Sequence, residues 1–278
     1  MNKIIAIGEL LWDCFDNRRT AAGAPYNFAR HAKLCGLEPL FISAIGDDPD
    51  GKALRAEVEK AGIKNCILVS EKYPTGYARV FSEDGKNRFE LGTPAAWDDI
   101  TLTQEHIDWI WPYRYICYGS LAQRNEVTRH TIQHLVGNTQ FKRIFDINLR
   151  PPFDDVDETA TTLIWNLEHC DILKISQEDM DILKSFRQFS GLDDVIDFLL
   201  HTTPVSIILE TLGEDGARYH DKKGKTVFCP APEVDVISTV GAGDAFLAAF
   251  VSAMIEGREP EKSLKQAVNY AARVVANR

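Results

Sequence analysis

Short apolar runs alternate with segments of helical spacing along nearly the whole chain. Lys3 to Ile7, Pro39 to Ala44, Tyr115 to Tyr118, Arg143 to Phe145, Ile172 to Ile175 and Val205 to Leu209 have the length and composition of buried strands. Helices are predicted between them. Pro25 to Leu34 opens with a proline in its first turn and stops before Gly36; Lys52 to Ala61 carries Leu54, Val58 and Ala61 on one face and stops at Gly62. Farther on, Phe246, Leu247, Phe250, Val251 and Met254 recur at helical spacing up to Gly257. Leu264, Ala267, Val268, Ala271 and Val275 repeat the pattern. Such alternation predicts an α/β fold with a mostly parallel central sheet covered on both faces, and a ligand site beyond the carboxyl ends of its strands.

One stretch breaks the alternation. From Cys66 to Leu91 the pattern is of short strands with turns at Tyr73-Pro74-Thr75-Gly76 and Glu83-Asp84-Gly85. It predicts a small β lid over the site, formed mainly by about 66–92 plus a segment near 10–22, of the kind that excludes water when substrate binds. No repeat or low-complexity linker divides the chain, so 1–278 is expected to be a single domain.

Composition narrows the partners. A chain of 278 residues with 45% hydrophobic and 26% charged side chains can bury a large core and fits a folded globular protein. Its 31 basic against 41 acidic residues, a formal charge of -10, argue against nucleic acid. No apolar run is long enough for a membrane helix, and Gly8 and Glu9 interrupt the amino-terminal one, so it is expected to be a first strand rather than a signal peptide. The cysteines at 14, 35, 66, 117, 170 and 229 form no C-x-x-C pair; reduced thiols and a cytoplasmic location are expected.

The candidate chemistry centres on Thr239-Val240-Gly241-Ala242-Gly243-Asp244-Ala245-Phe246. Gly241 and Gly243 permit backbone conformations in which several N–H groups converge on one anion at a helix N-terminus, and Asp244 in the first turn can accept a hydroxyl proton. The plainer alternative is a Gly-rich turn whose acid is favoured by the helix dipole. Gly8-Glu9-Leu10-Leu11-Trp12-Asp13 and Ala22-Gly23-Ala24-Pro25-Tyr26-Asn27 also fall at element ends. Asp13 and Asn27 offer the acceptor and the mixed donor and acceptor that a polyhydroxylated ligand needs; a surface Asp and a helix-start Asn are the alternatives. Gly46-Asp47-Asp48-Pro49-Asp50-Gly51 is explained by a capping turn, and Thr211-Leu212-Gly213-Glu214-Asp215-Gly216 by a hairpin turn or a nucleotide-contacting loop. His130 and His134 fit a solvated helical face, Asp154 to Glu158 a helix start, and Trp109, Trp111 and Trp165 packing anchors.

Taken in order, Gly8-Glu9 with Asp13, Gly23-Ala24-Pro25-x-Asn27, Gly46-x-Asp48-x-x-Gly51, Thr211-x-Gly213-x-x-Gly216 and Gly241-Ala242-Gly243-Asp244 resemble the PfkB/ribokinase family of carbohydrate kinases over nearly the entire chain. Pro94 to Asp98, Tyr118 to Arg124 and Phe145 to Pro152 are similar to stretches of bacterial fructokinase-like members. The resemblance implies a ribokinase-like three-layer sandwich and an ATP-dependent sugar kinase acting on a primary hydroxyl, with fructose as first choice. Another sugar, a sugar acid or a nucleoside is the alternative, as is a catalytically weakened sugar-binding paralogue. It makes Asp244 the catalytic base and Gly241, Ala242 and Gly243 the anion hole. Asp13, Gly23 and Asn27 would hold the sugar, joined by the strand-end cluster Asp146, Asn148 and Arg150. Ser176, Thr211, Gly213 and Gly216 would serve the nucleotide, and Asp179 the Mg2+ that arrives with ATP. The resemblance also implies a homodimer through the lid.

The chain departs from the family pattern at several places. Ser238 stands where the family usually has Asp, Ser176-x-x-Asp179 where it has Asn-x-x-Glu, and Ala22 where a glycine is frequent. The sequence also stops at Arg278, ahead of a loop that in the family closes the adenine pocket and contributes to a monovalent-cation site. Weaker positioning of the phosphates, and no secure monovalent-cation site, are the expectations.

Overall fold

A computed structural model describes residues 2–15, 18–83, 86–150, 155–187, 189, 191 and 194–276. The chain begins with β1 (Lys3–Ile7), β2 (Leu11–Phe15), β3 (Arg18–Ala22), α1 (Ala24–Leu34), β4 (Glu38–Gly46), α2 (Pro49–Lys60) and β5 (Lys64–Ser70). It continues through β6 (Gly76–Glu83), β7 (Lys86–Leu91), α3 (Gln104–Ile110), β8 (Tyr115–Gly119), α4 (Glu126–Val136), β9 (Lys142–Asp146), α5 (Val156–Leu167) and β10 (Ile172–Ser176). It ends with α6 (Gln177–Ser185), α7 (Val195–Thr202), β11 (Ile207–Thr211), β12 (Ala217–Asp221), β13 (Thr226–Cys229), α8 (Ala242–Ile255) and α9 (Pro260–Ala276).

The large sheet has nine strands in the order β13-β12-β11-β10-β9-β8-β1-β4-β5. From β11 to β5 every neighbouring pair is parallel, while β12 and β13 add antiparallel strands at one edge. Both faces are covered. Ile5 and Ile7 point into a core shared with α3, α4, α5, α6 and α7; Ile4 and Ala6 point into a second core shared with α1, α2, α8 and α9. A strand buried on both faces needs apolar side chains at successive positions, which is why β1 reads Ile-Ile-Ala-Ile. The result is a three-layer α/β sandwich.

Helix α8 shows how the sequence pattern meets the packing. Ten successive residues from Asp244 to Ala253 are buried, because the helix lies between the sheet, α1 and α9. A helix enclosed on all sides must be apolar all round. Truncating Phe250 there would cost on the order of 3 to 5 kcal/mol. The chain order reverses beside β1, whose neighbours are β4 and β8, so the carboxyl ends of these strands form the crevice in which such folds bind ligands.

A second sheet of four strands, β3-β2-β6-β7, stands apart from the first. Its size and position in the chain fit a lid. Its membership differs from the expected 66–92: Lys64 to Ser70 pairs in parallel with Leu40 to Gly46 and extends the large sheet instead. The alternation of that segment is that of an edge strand, so pattern alone does not assign it to either sheet. Two of the three expected tryptophan anchors are also corrected. Trp109 is 46% and Trp111 62% exposed, whereas Trp165 is partly buried and stacks on His169. The acidic start of α5 is as expected for its described residues: Asp155 accepts from the Glu158 N–H as the helix cap. Among the described residues no helix is long and apolar enough to cross a membrane.

Candidate active site

The N-terminus of α8 is the centre of the site. Gly241 takes the position before the helix with φ 75°, a left-handed conformation that a side chain would resist, and no side chain caps the first turn. The uncapped N–H groups and the helix dipole favour an anion here. Part of that capacity is used internally, since the Ala242 N–H turns back to the Thr239 carbonyl at 3.2 Å.

Asp244, in this first turn, is buried and accepts a 2.9 Å hydrogen bond from Nδ2 of Asn27, a residue 217 positions away in α1. Gly23 precedes α1 with φ 118°, and a Cβ there would come within 2.2 Å of the Glu9 carbonyl oxygen. Only glycine allows that turn, and the turn is what brings Asn27 beneath Asp244. Glu9 stabilises it from the other side, Oε1 accepting from the Ala24 N–H at 3.0 Å while Oε2 is buried with no hydrogen-bond partner among the described residues.

Burial dominates the electrostatics. It pushes the Asp244 carboxyl up to about 6, with the charge of Asp146 acting the same way and the Asn27 hydrogen bond, Lys174 and Arg150 opposing. Burial likewise raises Glu9 to about 7 against the pull of backbone N–H groups. Two carboxyls with values shifted toward neutrality therefore share one crevice. That is the electrostatic condition for a base able to take a proton near neutral pH.

The ends of β9 and β10 complete this side. Asp146 is buried and accepts from Nζ of Lys174 at 2.9 Å. Beyond it, Asn148 has φ 41°, a left-handed turn that Asn tolerates better than most residues. Arg150 is exposed, and its charge reaches Asp244, Glu9 and Asp146. Ser176 caps α6 by accepting from the Asp179 N–H. The Asp179 carboxylate in turn accepts from the Ser176 N–H at 2.9 Å, the Ser176 hydroxyl at 2.6 Å and the Leu149 N–H at 2.8 Å. Asp179 thus ties the 146–150 segment to α6. Those three bonds occupy both lone-pair positions of Oδ2 and one of Oδ1, leaving a single acceptor position on the carboxylate. Among the described residues, no group of three His, Cys, Asp or Glu side chains is placed to hold a metal ion.

Thr211 ends β11 directly beside Ser176 in the parallel ladder, and Gly213 and Gly216 follow at the hairpin turn between β11 and β12. Residues 230–231 and α9 stand beside that hairpin. Asp13 is buried in β2 of the small sheet, in register with Thr20 and Ala78. Asp48 caps α2, as expected, and also accepts from the N–H and hydroxyl of Thr75, which fixes the approach to the small sheet. His130 and His134 lie on the surface of α4. Sequence reasoning passed over Lys174 and gave Glu9 no role in the site. Lys174 did leave a signal, a lone cation inside the apolar run Ile172-Leu173-Lys174-Ile175.

A three-layer, mostly parallel α/β fold with an uncapped helix N-terminus, a buried carboxyl shifted toward neutrality beside it and a small second sheet fits phosphoryl transfer. The model of the pfkB family carbohydrate kinases matches residues 3–278, and the chain belongs to that family. It is 28% identical to a probable fructokinase of Arabidopsis thaliana, over 96% of this chain and 88% of the relative. It is 25% identical to a 5-dehydro-2-deoxygluconokinase of Halalkalibacterium halodurans, over 91% of this chain and 79% of the relative. The crystal structure of an uncharacterized sugar kinase from Pyrococcus horikoshii in complex with ATP superposes with a TM-score of 0.85 at 25% identity, covering 99% of this chain and 93% of that one. The protein is a sugar kinase, a phosphotransferase with an alcohol acceptor.

Proposed function

We infer that the protein transfers the γ-phosphoryl group of ATP to a primary hydroxyl of a small sugar, with D-fructose as the preferred acceptor. The observation that carries this reading is the buried Asn27–Asp244 pair at the uncapped start of α8. Asp244 takes the hydroxyl proton, the sugar oxygen bonds to the γ-phosphorus, and the bond from that phosphorus to the bridging oxygen breaks, releasing ADP. The N–H groups of Gly241, Ala242 and Gly243 offset charge on the phosphoryl group in flight. Asp13, Gly23, Asn27, Asn148 and Arg150 hold the sugar. Thr211, Gly213, Gly216 and Ser176 flank the nucleotide, and Asp179 would supply negative charge toward an Mg2+ carried by the ATP phosphates, which would offset their charge.

Fructose is favoured by the plant fructokinase relative together with the fructokinase-like stretches at Pro94 to Asp98 and Tyr118 to Arg124. The 5-dehydro-2-deoxygluconokinase relative favours a second reading, a six-carbon keto sugar acid. A panel of fructose, ribose, keto sugar acids and nucleosides with MgATP, read by ADP release and with and without potassium, decides between them. Fructose turnover at least tenfold above every other acceptor supports the first reading; a sugar acid preferred over fructose overturns it. Sugar-dependent thermal stabilisation without any product would identify a sugar-binding paralogue.

The same reading includes a cytoplasmic location, in keeping with six free thiols. It also includes a homodimer through the small sheet, where Tyr77 and Phe81 are 43% and 47% exposed. Sedimentation showing only monomer at micromolar concentration would remove the dimer.

A further inference from the structure

Lys174 is a charged residue in a strand buried on both faces. Side chains alternate along β10, so Leu173 and Ile175 enter the core of α3 to α7, while Ile172 and Lys174 point to the layer that contains α8. Its ammonium reaches the first turn of that helix: a Cβ built on Gly243 would lie 3.2 Å from Lys174 Nζ. A cation is disfavoured both by burial and by a helix N-terminus. Something must compensate. Burial does work against the ammonium, but Asp146, Asp179 and Asp244 together outweigh it and keep its pKa above the ordinary lysine value. Among the described residues its one hydrogen-bond partner is Asp146, which uses one of three N–H donors. A pair of purely structural value would gain little from that location, since replacing a buried ion pair by apolar side chains is frequently neutral or stabilising.

We propose that Lys174 is a positioning residue for phosphoryl transfer, a fixed cation behind Gly243 whose charge, partly offset by its pairing with Asp146, faces the anion hole and favours the ionised form of Asp244. The proposal rests on the phosphoryl-transfer reading given above. The proton still goes to Asp244, and the bond to the bridging oxygen still breaks toward ADP; Lys174 neither gives nor takes a proton. Its charge counters the negative charge of the moving phosphoryl, and its bond to Asp146 fixes the end of β9 from which Asn148 and Arg150 follow. Charges fixed in a buried site act with far less screening than in water. Asp244 is faced by Glu9 from the end of β1, Asn27 from α1, Cys117 from β8, Asp146 and Arg150 from the end of β9, and Lys174 from β10. Lys174 and Arg150 are the cations of that set, and Lys174 is the buried one.

Lys174→Met keeps the length of the side chain but leaves Asp146 buried and unpaired, so the decisive comparison is Asp146→Asn against Asp146→Asn with Lys174→Met, in the full chain with wild type alongside. Wild-type turnover with the best acceptor of the panel tests the kinase reading itself, independently of Lys174. The expected result for the added Lys174→Met is a fall in kcat of about 100-fold or more with sugar KM changed less than about threefold. The acid limb of its kcat profile should move to higher pH, because Asp244 loses a nearby cation. In Lys174→Ala, added ammonium ions should restore part of kcat. A pair of variants with equal kcat and equal pH profiles overturns the proposal. So does a loss of kcat with an unmoved acid limb and no ammonium rescue, which marks a scaffold role.

Discussion

The two sides of the crevice are built on different physical terms. On the side of α8, Asp244, Asn27, Glu9, Asp146 and Lys174 are all less than 10% exposed and are locked by hydrogen bonds to partners far along the chain. On the side proposed for the nucleotide, β12 and β13 form the antiparallel edge of the sheet, and residues 232–237 run exposed with no regular structure. Val236 and Ile237 are 60% and 62% exposed, and the backbone N–H groups of Ile237 and Ser238 are tied to the single carbonyl of Val275. The first side is preorganised at a cost in buried charge, so each group there carries a large and specific effect. The second is solvated, so single side chains on it matter little. Gly241 to Asp244 keep the family pattern, whereas Ser238 on the approach to α8, Ser176 and Asp179 at the start of α6, and Ala22 before α1 depart from it.

The largest effect should come from the proposed base. Asp244→Asn is expected to lower kcat by about 100- to 10,000-fold while sugar binding, read by calorimetry, stays within a few fold. Near-normal turnover would end the contrast between the two sides. Next is the stability of the buried carboxyl beside it. Glu9 rises from the ordinary 4.5 to about 7 in the fold, so the folded state holds a proton that the unfolded chain has lost between those values. Stability is therefore highest below about pH 4.5 as far as this group decides it, and falls as pH rises to about 7, by on the order of 3 kcal/mol. Glu9→Gln should flatten that dependence in urea unfolding at several pH values; an unchanged slope would show that Glu9 does not titrate in this range.

A smaller effect is expected at Asn27. Its hydrogen bond favours the ionised form of Asp244, whose value is about 6, so kcat should fall as pH drops through that value. Asn27→Ala should move this acid limb upward and lower kcat about tenfold; an unmoved limb would mean that Asn27 only shapes the sugar pocket. The smallest effect belongs to the other side. Val236→Ser should change stability by no more than about 0.5 kcal/mol in thermal or urea unfolding, and a change several times larger would show that residues 232–237 are buried by something in solution.

Much of the fold was readable in advance because it rests on local periodicity. β1, β8, β10 and both terminal helices lie where the apolar pattern places them, since a strand buried on two faces and a helix with one apolar face leave distinct traces. The error at Cys66 to Ser70 has the opposite cause. An edge strand of a parallel sheet and a strand of a small mixed sheet look alike in sequence, and only pairing with β4 tells them apart. Trp109 and Trp111 were misplaced because a large aromatic side chain carries no local mark of exposure.

The sequence by itself determined the motif order, the Gly241 turn into an apolar helix, and the presence of Asp244 in its first turn. These depend on neighbours within a few residues. Tertiary structure alone decided that Asn27 bonds to Asp244 across 217 positions, that Asp179 spends its oxygens on Ser176 and Leu149, and that the ammonium of Lys174 lies behind Gly243. Those relations come from the register of parallel strands and the docking of α8 against them. Packing sets such distances, and with them the charges that act at full strength out of water.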